Sequence, residues 1–197
     1  MFPPFAVWCK EVLHPQDTHP WDFRTPAFYE EYRVKYAIAK LIQPHSILEV
    51  GVRFGYAARS FLFAMPEASY IGLDFDEPSW GDFAGLPRVW AETRLHARYP
   101  HNDIRTFHFD TQKDSLTPLG LELIDMVHID ADHSYGGTTR DLATFWPLAR
   151  KAVVVDDYGG IATVQLAVDE FCEDQPNVIR LAATSLRGSA ILVRDGD

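Results

Sequence analysis

Two cysteines in 197 residues, Cys9 and Cys172, are too few and too far apart for a disulfide framework, and neither lies in a metal-ligand spacing. Such thiols suit a reducing compartment. Runs of lysine and arginine are missing as well. With 28 acidic against 18 basic residues, the net charge is −10 and the pI about 5.2. That balance excludes a nucleic acid or an anionic membrane surface as the main partner, because phosphate binding relies on clustered positive charge. No apolar stretch reaches spanning length. The opening "MFPPFAVWCKEVLHPQD" has no charged leader and is broken by prolines, unlike a secretory signal. The expectation is a cytoplasmic protein. Internal repeats, low-complexity tracts, long linkers and Walker-type loops do not occur, and no histidine follows His133.

What is present is ordinary in bulk and informative in order. At 47% hydrophobic and 23% charged, the chain can build one sizeable core. "TPAFYEEYRVKYAIAKLI" has apolar residues at helical spacing, with Thr25 as cap and Pro26 in the first turn. Strand runs "HSILEVG", "SYIGLDFD", "DIRTFHFD", "LELIDMVHID" and "AVVVDD" follow, with a closing pair "NVIRLAA" and "SAILVR". Helical stretches "YAARSFLFAM", "LPRVWAETRLHARY", "TTRDLATFWPLARK" and "IATVQLAVDEFCED" fall between them. This alternation predicts an α/β, Rossmann-like, doubly wound fold. Its mostly parallel seven-stranded sheet carries helices on both faces and is preceded by an N-terminal helical segment. "AVVVDD" is apolar at consecutive positions, as a central strand covered on both faces must be. Ligands of such sheets bind beyond the carboxyl ends of the strands. That rim carries "EVGVRFG", Asp74, Asp110, Asp130 and Asp132, then Asp156 and Asp157.

Gly51 and Gly55 lie in the turn after the first strand with spacing G-x-x-x-G, and Arg53 stands where a dinucleotide fingerprint needs glycine. Glu49 before the turn would repel a phosphate and suits an ammonium or another cation. Asp74 can accept from the two hydroxyls of a ribose, and Asp110 from an exocyclic amine such as adenine's. A phosphate-free adenosine with a cationic amino-acid tail is S-adenosylmethionine. The plainer alternative is a tight turn that only connects a strand to a helix.

The ends of neighbouring strands lie roughly 5 Å apart, so Asp130, Asp156 and Asp157 can converge. Crowded carboxylates repel one another unless a divalent cation is shared; oxygen ligands favour Mg²⁺, with Ca²⁺ or Mn²⁺ as options. The alternative is that Asp156 or Asp157 caps the helix beginning near Gly160. Asp132 stands behind the ligands, caps a helix or is solvated. His133, three residues past Asp130, can hang over the ion and accept a proton from a polarised hydroxyl; otherwise it is an exposed loop residue. His128, inside its strand, reads as a hydrogen-bonded core histidine.

"ILEVGVRFGYAARSFL", "YIGLDFD" and above all "IDMVHIDADHSYGGTTRDLATFWPLARKAVVVDDYG" resemble the class I S-adenosylmethionine-dependent methyltransferases. The likeness is to the small-molecule O-methyltransferases of macrolide and aminocoumarin sugars, with the catechol enzymes more distant. It covers about Val34 to the C-terminus. The resemblance implies Mg²⁺ ligands at Asp130, Asp156 and Asp157. His133 would be the catalytic base (a lysine in the catechol enzymes), acting with Asp130. Glu49, Gly51, Asp74 and Asp110 would hold the cofactor, with Gly55 in the same turn. Two departures stand out: alanine replaces the glycine common between Asp130 and Asp132, and the N-terminus is short, which leaves the acceptor open. The expected organisation is a lid or helical segment over 1–33 and a cofactor-binding domain over 34–197. The expected partner is a small hydroxylated acceptor. The aromatics "WDF", "FYEEY" and "DEPSWGDF" are candidates for a lid over that acceptor, and an N-terminus this aromatic could also bury itself in a homodimer.

Three other readings compete. A non-haem iron oxygenase would use "HID", but it needs a later histidine. A glycosyl- or phosphotransferase could use "DAD" as a D-x-D metal site, without any cationic cluster to hold its phosphates. A catalytically silent cofactor-binding module would be expected to lose the base or the metal ligands, and both sets are present.

Overall fold

The computed structural model describes residues 1–15, 17, 24–75 and 87–195. Strands β1 (Ser46–Val50), β2 (Ser69–Asp74), β3 (Ile104–His108), β4 (Ile124–Ile129), β5 (Ala149–Asp156), β6 (Val178–Ala183) and β7 (Ser189–Arg194) form one sheet. Their order is β3-β2-β1-β4-β5-β7-β6. β7 runs antiparallel to β5 and β6, and the other pairings are parallel. This is the expected Rossmann-like sheet, and its topological switch point lies between β1 and β4.

The helices are α1 (Phe5–Val7), continued by a π-helical turn at Trp8–Val12, then α2 (Pro26–Ile42), α3 (Tyr56–Ala64), α4 (Pro87–Arg98), α5 (Tyr135–Phe145) and α6 (Ala162–Asp174). α2 starts as its sequence predicts. The Thr25 hydroxyl accepts from the Phe28 N–H, and Pro26 occupies the first turn, where its missing N–H costs nothing. It then runs unbroken across residues 33 and 34. α2, α3 and α4 pack Ile38, Phe61, Leu62 and Leu95 against Ile47, Tyr70, Met126 and Val154 on one face of the sheet. α5 and α6 pack Leu142, Phe145, Val164 and Val168 against Leu48, Val127, Val153 and Val155 on the other. Alternate residues of β4 and β5 thus serve opposite cores, and nearly every residue of both strands is buried.

One helix boundary departs from expectation. The stretch "TTRDLATFWPLARK" is not a single helix: α5 begins earlier, at Tyr135, because the Ser134 hydroxyl accepts from the Gly137 N–H at 3.1 Å. It gives way to a 3-10 turn at Trp146–Leu148 around Pro147, which cannot donate to the helix, and β5 has begun by Ala149. A third cluster, Trp8, Val12, Leu13, Tyr32, Phe54 and Tyr56, fastens the N-terminal stretch to α2 and to the turn after β1. Phe28 and Tyr32 of "FYEEY" are therefore buried rather than poised as a lid. "WDF" and "DEPSWGDF" lie outside the described residues. Among the described residues no helix is long and apolar enough to cross a membrane.

Candidate functional site

At the switch point, the backbone of β1 touches that of β4. Asp130 N–H donates to Val50 O and Gly51 N–H to Leu73 O, each at 2.8 Å. Gly51 has φ +95°, and a Cβ there would stand 1.9 Å from the Asp130 carbonyl oxygen. Only glycine fits. Gly55, at φ +69°, precedes α3 where a Cβ would press to 2.9 Å on the Ala91 side chain. Between them Arg53 also adopts a left-handed conformation, φ +46°, and its N–H donates to Asp74 Oδ2 at 2.6 Å. The corner is latched from the N-terminal side. The Arg53 guanidinium meets Asp17 at 2.7 Å, and Asp17 also accepts from the Tyr56 hydroxyl at 3.0 Å. Asp110, one strand further out, is engaged by its own turn. Its carboxylate accepts from Lys113 Nζ at 2.7 Å and from the Gln112 N–H at 2.9 Å, and the Lys113 bond leads in holding its pKa below the usual range.

Glu49 sits beneath this corner and is almost wholly buried. One oxygen accepts from the Tyr70 hydroxyl at 2.5 Å; the other is 3.2 Å from His128 Nδ1. Burial raises its pKa, while the contacts with His128 and Tyr70 oppose the rise. With both oxygens committed, Glu49 is not a free carboxylate facing the turn.

The acidic rim is divided. Asp130, His133 and Asp157 each bring one possible ligand atom to within 4.8 Å of the others. His133 Nε2 lies 3.1 Å from Asp130 Oδ1 and 3.3 Å from Asp157 Oδ2. Burial works against a charged His133, yet the bond to Asp130 and the charges of Asp130 and Asp157 win, raising its pKa to about 9. Asp157 goes the other way. Its burial, and then repulsion from Asp130 and Asp156, push it up to about 7 despite Arg187 and His133. The Arg187 guanidinium bonds Asp157 Oδ2, whereas Asp157 Oδ1 is buried and has no hydrogen-bond partner among the described residues.

Asp156 belongs to a second group, with His128 and Asp130. The Lys35 ammonium lies 2.8 and 3.0 Å from its two oxygens, and the Ser189 hydroxyl donates to Oδ1 at 3.0 Å. Asp132 is in neither group: it accepts from the Ser134 N–H and from Gln112 Nε2, at the start of α5. A D-x-D pair aimed at one ion is therefore not what the geometry offers.

Lys35 and Arg187 were not visible as site residues in the sequence. Lys35 had a signal. It shares the buried stripe of α2 with Phe28, Glu31, Tyr32, Ile38 and Ala39, and two opposite charges inside an apolar stripe call for partners. Arg187, in the loop between β6 and β7, had none.

The strand order, with the site at the carboxyl ends of β1, β2, β4 and β5, defines a class I methyltransferase architecture. A family profile described as "Methyltransferase domain" matches residues 48–158, more than half of the sequence, and the chain belongs to that family. No curated protein matches it in sequence. Similar solved structures include a Staphylococcus aureus protein provisionally assigned as a caffeoyl-CoA O-methyltransferase. It is 15% identical with a TM-score of 0.71, over 98% of this chain and 93% of that one. A Bacillus cereus O-methyltransferase solved with S-adenosylhomocysteine is 16% identical with a TM-score of 0.66, over 96% and 88%. The Streptomyces achromogenes O-methyltransferase TomG, of tomaymycin synthesis, is 18% identical with a TM-score of 0.62, over 85% and 80%. At these identities the likeness is one of fold.

Proposed function

We propose that the protein transfers the methyl group of S-adenosylmethionine to a hydroxyl of a small molecule, assisted by a divalent ion, Mg²⁺ by preference. The observation that carries this reading is the pairing, on one rim, of a phosphate-repelling glycine corner with a histidine held between two carboxylates. Gly51 brings the backbone close enough to line a nucleoside, and Asp74 takes the ribose hydroxyls. Asp110 accepts from the base. Glu49, from below, favours the cationic tail through its field.

A dication fits Asp130 and Asp157. Their oxygens are hard ligands, and the unpartnered buried Oδ1 of Asp157 is the acceptor that such an ion would satisfy. Asp156, with Lys35 on both oxygens, does not fit without rearrangement. Asp130 and Asp157 would hold the ion, which would lower the pKa of a bound acceptor hydroxyl and, by like-charge repulsion, that of His133. Asp130 Oδ1 orients the imidazole by accepting from Nε2–H, which leaves Nδ1 to take the hydroxyl proton; this tautomer follows from the hydrogen-bond network. The methyl carbon leaves the sulfonium sulfur for the oxygen as the proton leaves for His133, so both neutral products follow from one displacement. The acceptor is a small hydroxylated compound, a reading supported by the O-methyltransferases that share the fold.

Calorimetric titration tests the reading. S-adenosylhomocysteine is expected to bind and uridine diphosphate not to. Binding of the diphosphate alone would replace methyl transfer by a nucleotide-sugar or phosphoryl reaction.

A further inference from the structure

Lys35 is 2% exposed, stands on a helix 121 residues away in sequence from its partner, and gives its ammonium to both oxygens of Asp156. A buried ion pair is a poor device for stability, since taking two charges out of water offsets most of their attraction, and apolar replacements are often neutral. Its position is more telling. His128, Asp130 and Asp156 form a group with ligand atoms within 4.8 Å, a cation seat by geometry, and Lys35 lies on its Asp156. In the neighbouring group of Asp130, His133 and Asp157 the fixed cation is Arg187, which engages only Oδ2 of Asp157; the buried Oδ1 has no hydrogen-bond partner among the described residues.

We infer that Lys35 is a built-in cation that keeps Asp156 out of the metal's ligand set, so that the divalent ion is held by Asp130 and Asp157 alone and exchanges readily. The inference rests on the divalent-ion reading proposed above and says which carboxylates serve it. Fewer anionic ligands and a fixed positive charge beside the site both weaken the hold on a dication. Lys35 is thus a positioning residue: it touches neither substrate nor ion. It ties the affinity of the ion to the seating of α2, which also carries the N-terminal cluster through Tyr32.

Mn²⁺ binding, followed by loss of the free-ion signal in electron paramagnetic resonance, tests this without any turnover. Lys35→Met frees Asp156 and is expected to tighten binding by about tenfold or more. The double variant Lys35→Met/Asp156→Asn removes a charge pair at constant net charge and is expected to leave the affinity as it is in the native protein. Asp157→Asn is expected to abolish binding. Weaker binding in the double variant, or no gain in Lys35→Met, overturns the inference while the metal reading stands. Binding in Lys35→Met but not in the native protein would show that the ion needs Asp156, which overturns the inference and removes the metal from the native reaction. Absence of binding in both removes the two together. Should Lys35→Met fail to fold, the charge-neutral double variant decides alone.

Discussion

At His133, two carboxylates compete for one ring nitrogen, and the result is a side chain whose charge depends on what else those carboxylates hold. Against burial and the nearby charge of Arg187, the bond to Asp130 and the charges of Asp130 and Asp157 keep the imidazole protonated to about pH 9. An ion on the same oxygens, as proposed, would favour the neutral ring and so couple the proposed base to the ion through shared ligands. His133→Ala is expected to leave the affinity for S-adenosylhomocysteine unchanged and to lower turnover roughly 10²- to 10⁴-fold, the usual worth of a positioned base. Titration calorimetry and initial rates on the same preparations check this; equal rates would take His133 out of the reaction. The sequence pointed to His133 because histidine three residues past a strand-end aspartate is a chemical pattern. It could not show that Nε2 faces Asp157 as well, since that contact spans residues 133 and 157 on different loops. Gly51 was legible as a turn residue, but the stricter demand on it, the Asp130 carbonyl pressed against its Cα, comes from the β1–β4 pairing and has no local signature.

Among the elements, β1, β2, β4 and β5 were read well because their short runs of apolar residues are closed by acids or glycine. α5 was misplaced at both ends, since Ser134 outcompeted Thr138 as a start and a proline ended the helix where periodicity alone would have continued it. α5 also carries a group whose cost can be measured. Asp141 is wholly buried; burial pushes its pKa up to about 6 from 3.8, with Asp132 adding to the rise and the Thr111 side chain and Arg140 opposing it. Between those two values the folded chain holds a proton that the unfolded chain has released, so stability falls as pH rises through about 4 to 6 and then levels off. Asp141→Asn removes the titration. The variant is expected to match the native protein near pH 4 and to exceed it by on the order of 2 kcal/mol at pH 7. Urea denaturation across that range measures the difference; a difference independent of pH would mean that Asp141 does not titrate as described. α2 is the opposite case: its boundaries were plain, while the meaning of Glu31 and Lys35 on its buried face was not, because their partners lie beyond residue 150. Ser185 and the Arg187 N–H bond Glu31, and Asp156 takes Lys35.

For the molecule as a whole, the fold places its chemistry by one rule, that parallel strands deliver their carboxyl ends to one edge. The order of strands and helices in the sequence was enough to predict that edge and the residues on it. It was not enough to pair Lys35 with Asp156 and Arg187 with Asp157, because those contacts are made by α2 and the β6–β7 loop folding over the rim from opposite ends of the chain. The N-terminal stretch belongs to the same arrangement: Trp8 and Tyr32 meet as a tilted pair with ring centroids 4.8 Å apart, and Asp17 reaches the glycine corner through Arg53. Crystals grown with S-adenosylhomocysteine and Mn²⁺, measured for the manganese anomalous signal, test the central claim most directly. The account expects the ribose on Asp74 beside Gly51 and the anomalous peak between Asp130 and Asp157, with Lys35 still on Asp156. A nucleoside bound anywhere else, with the Gly51 corner vacant, would contradict it.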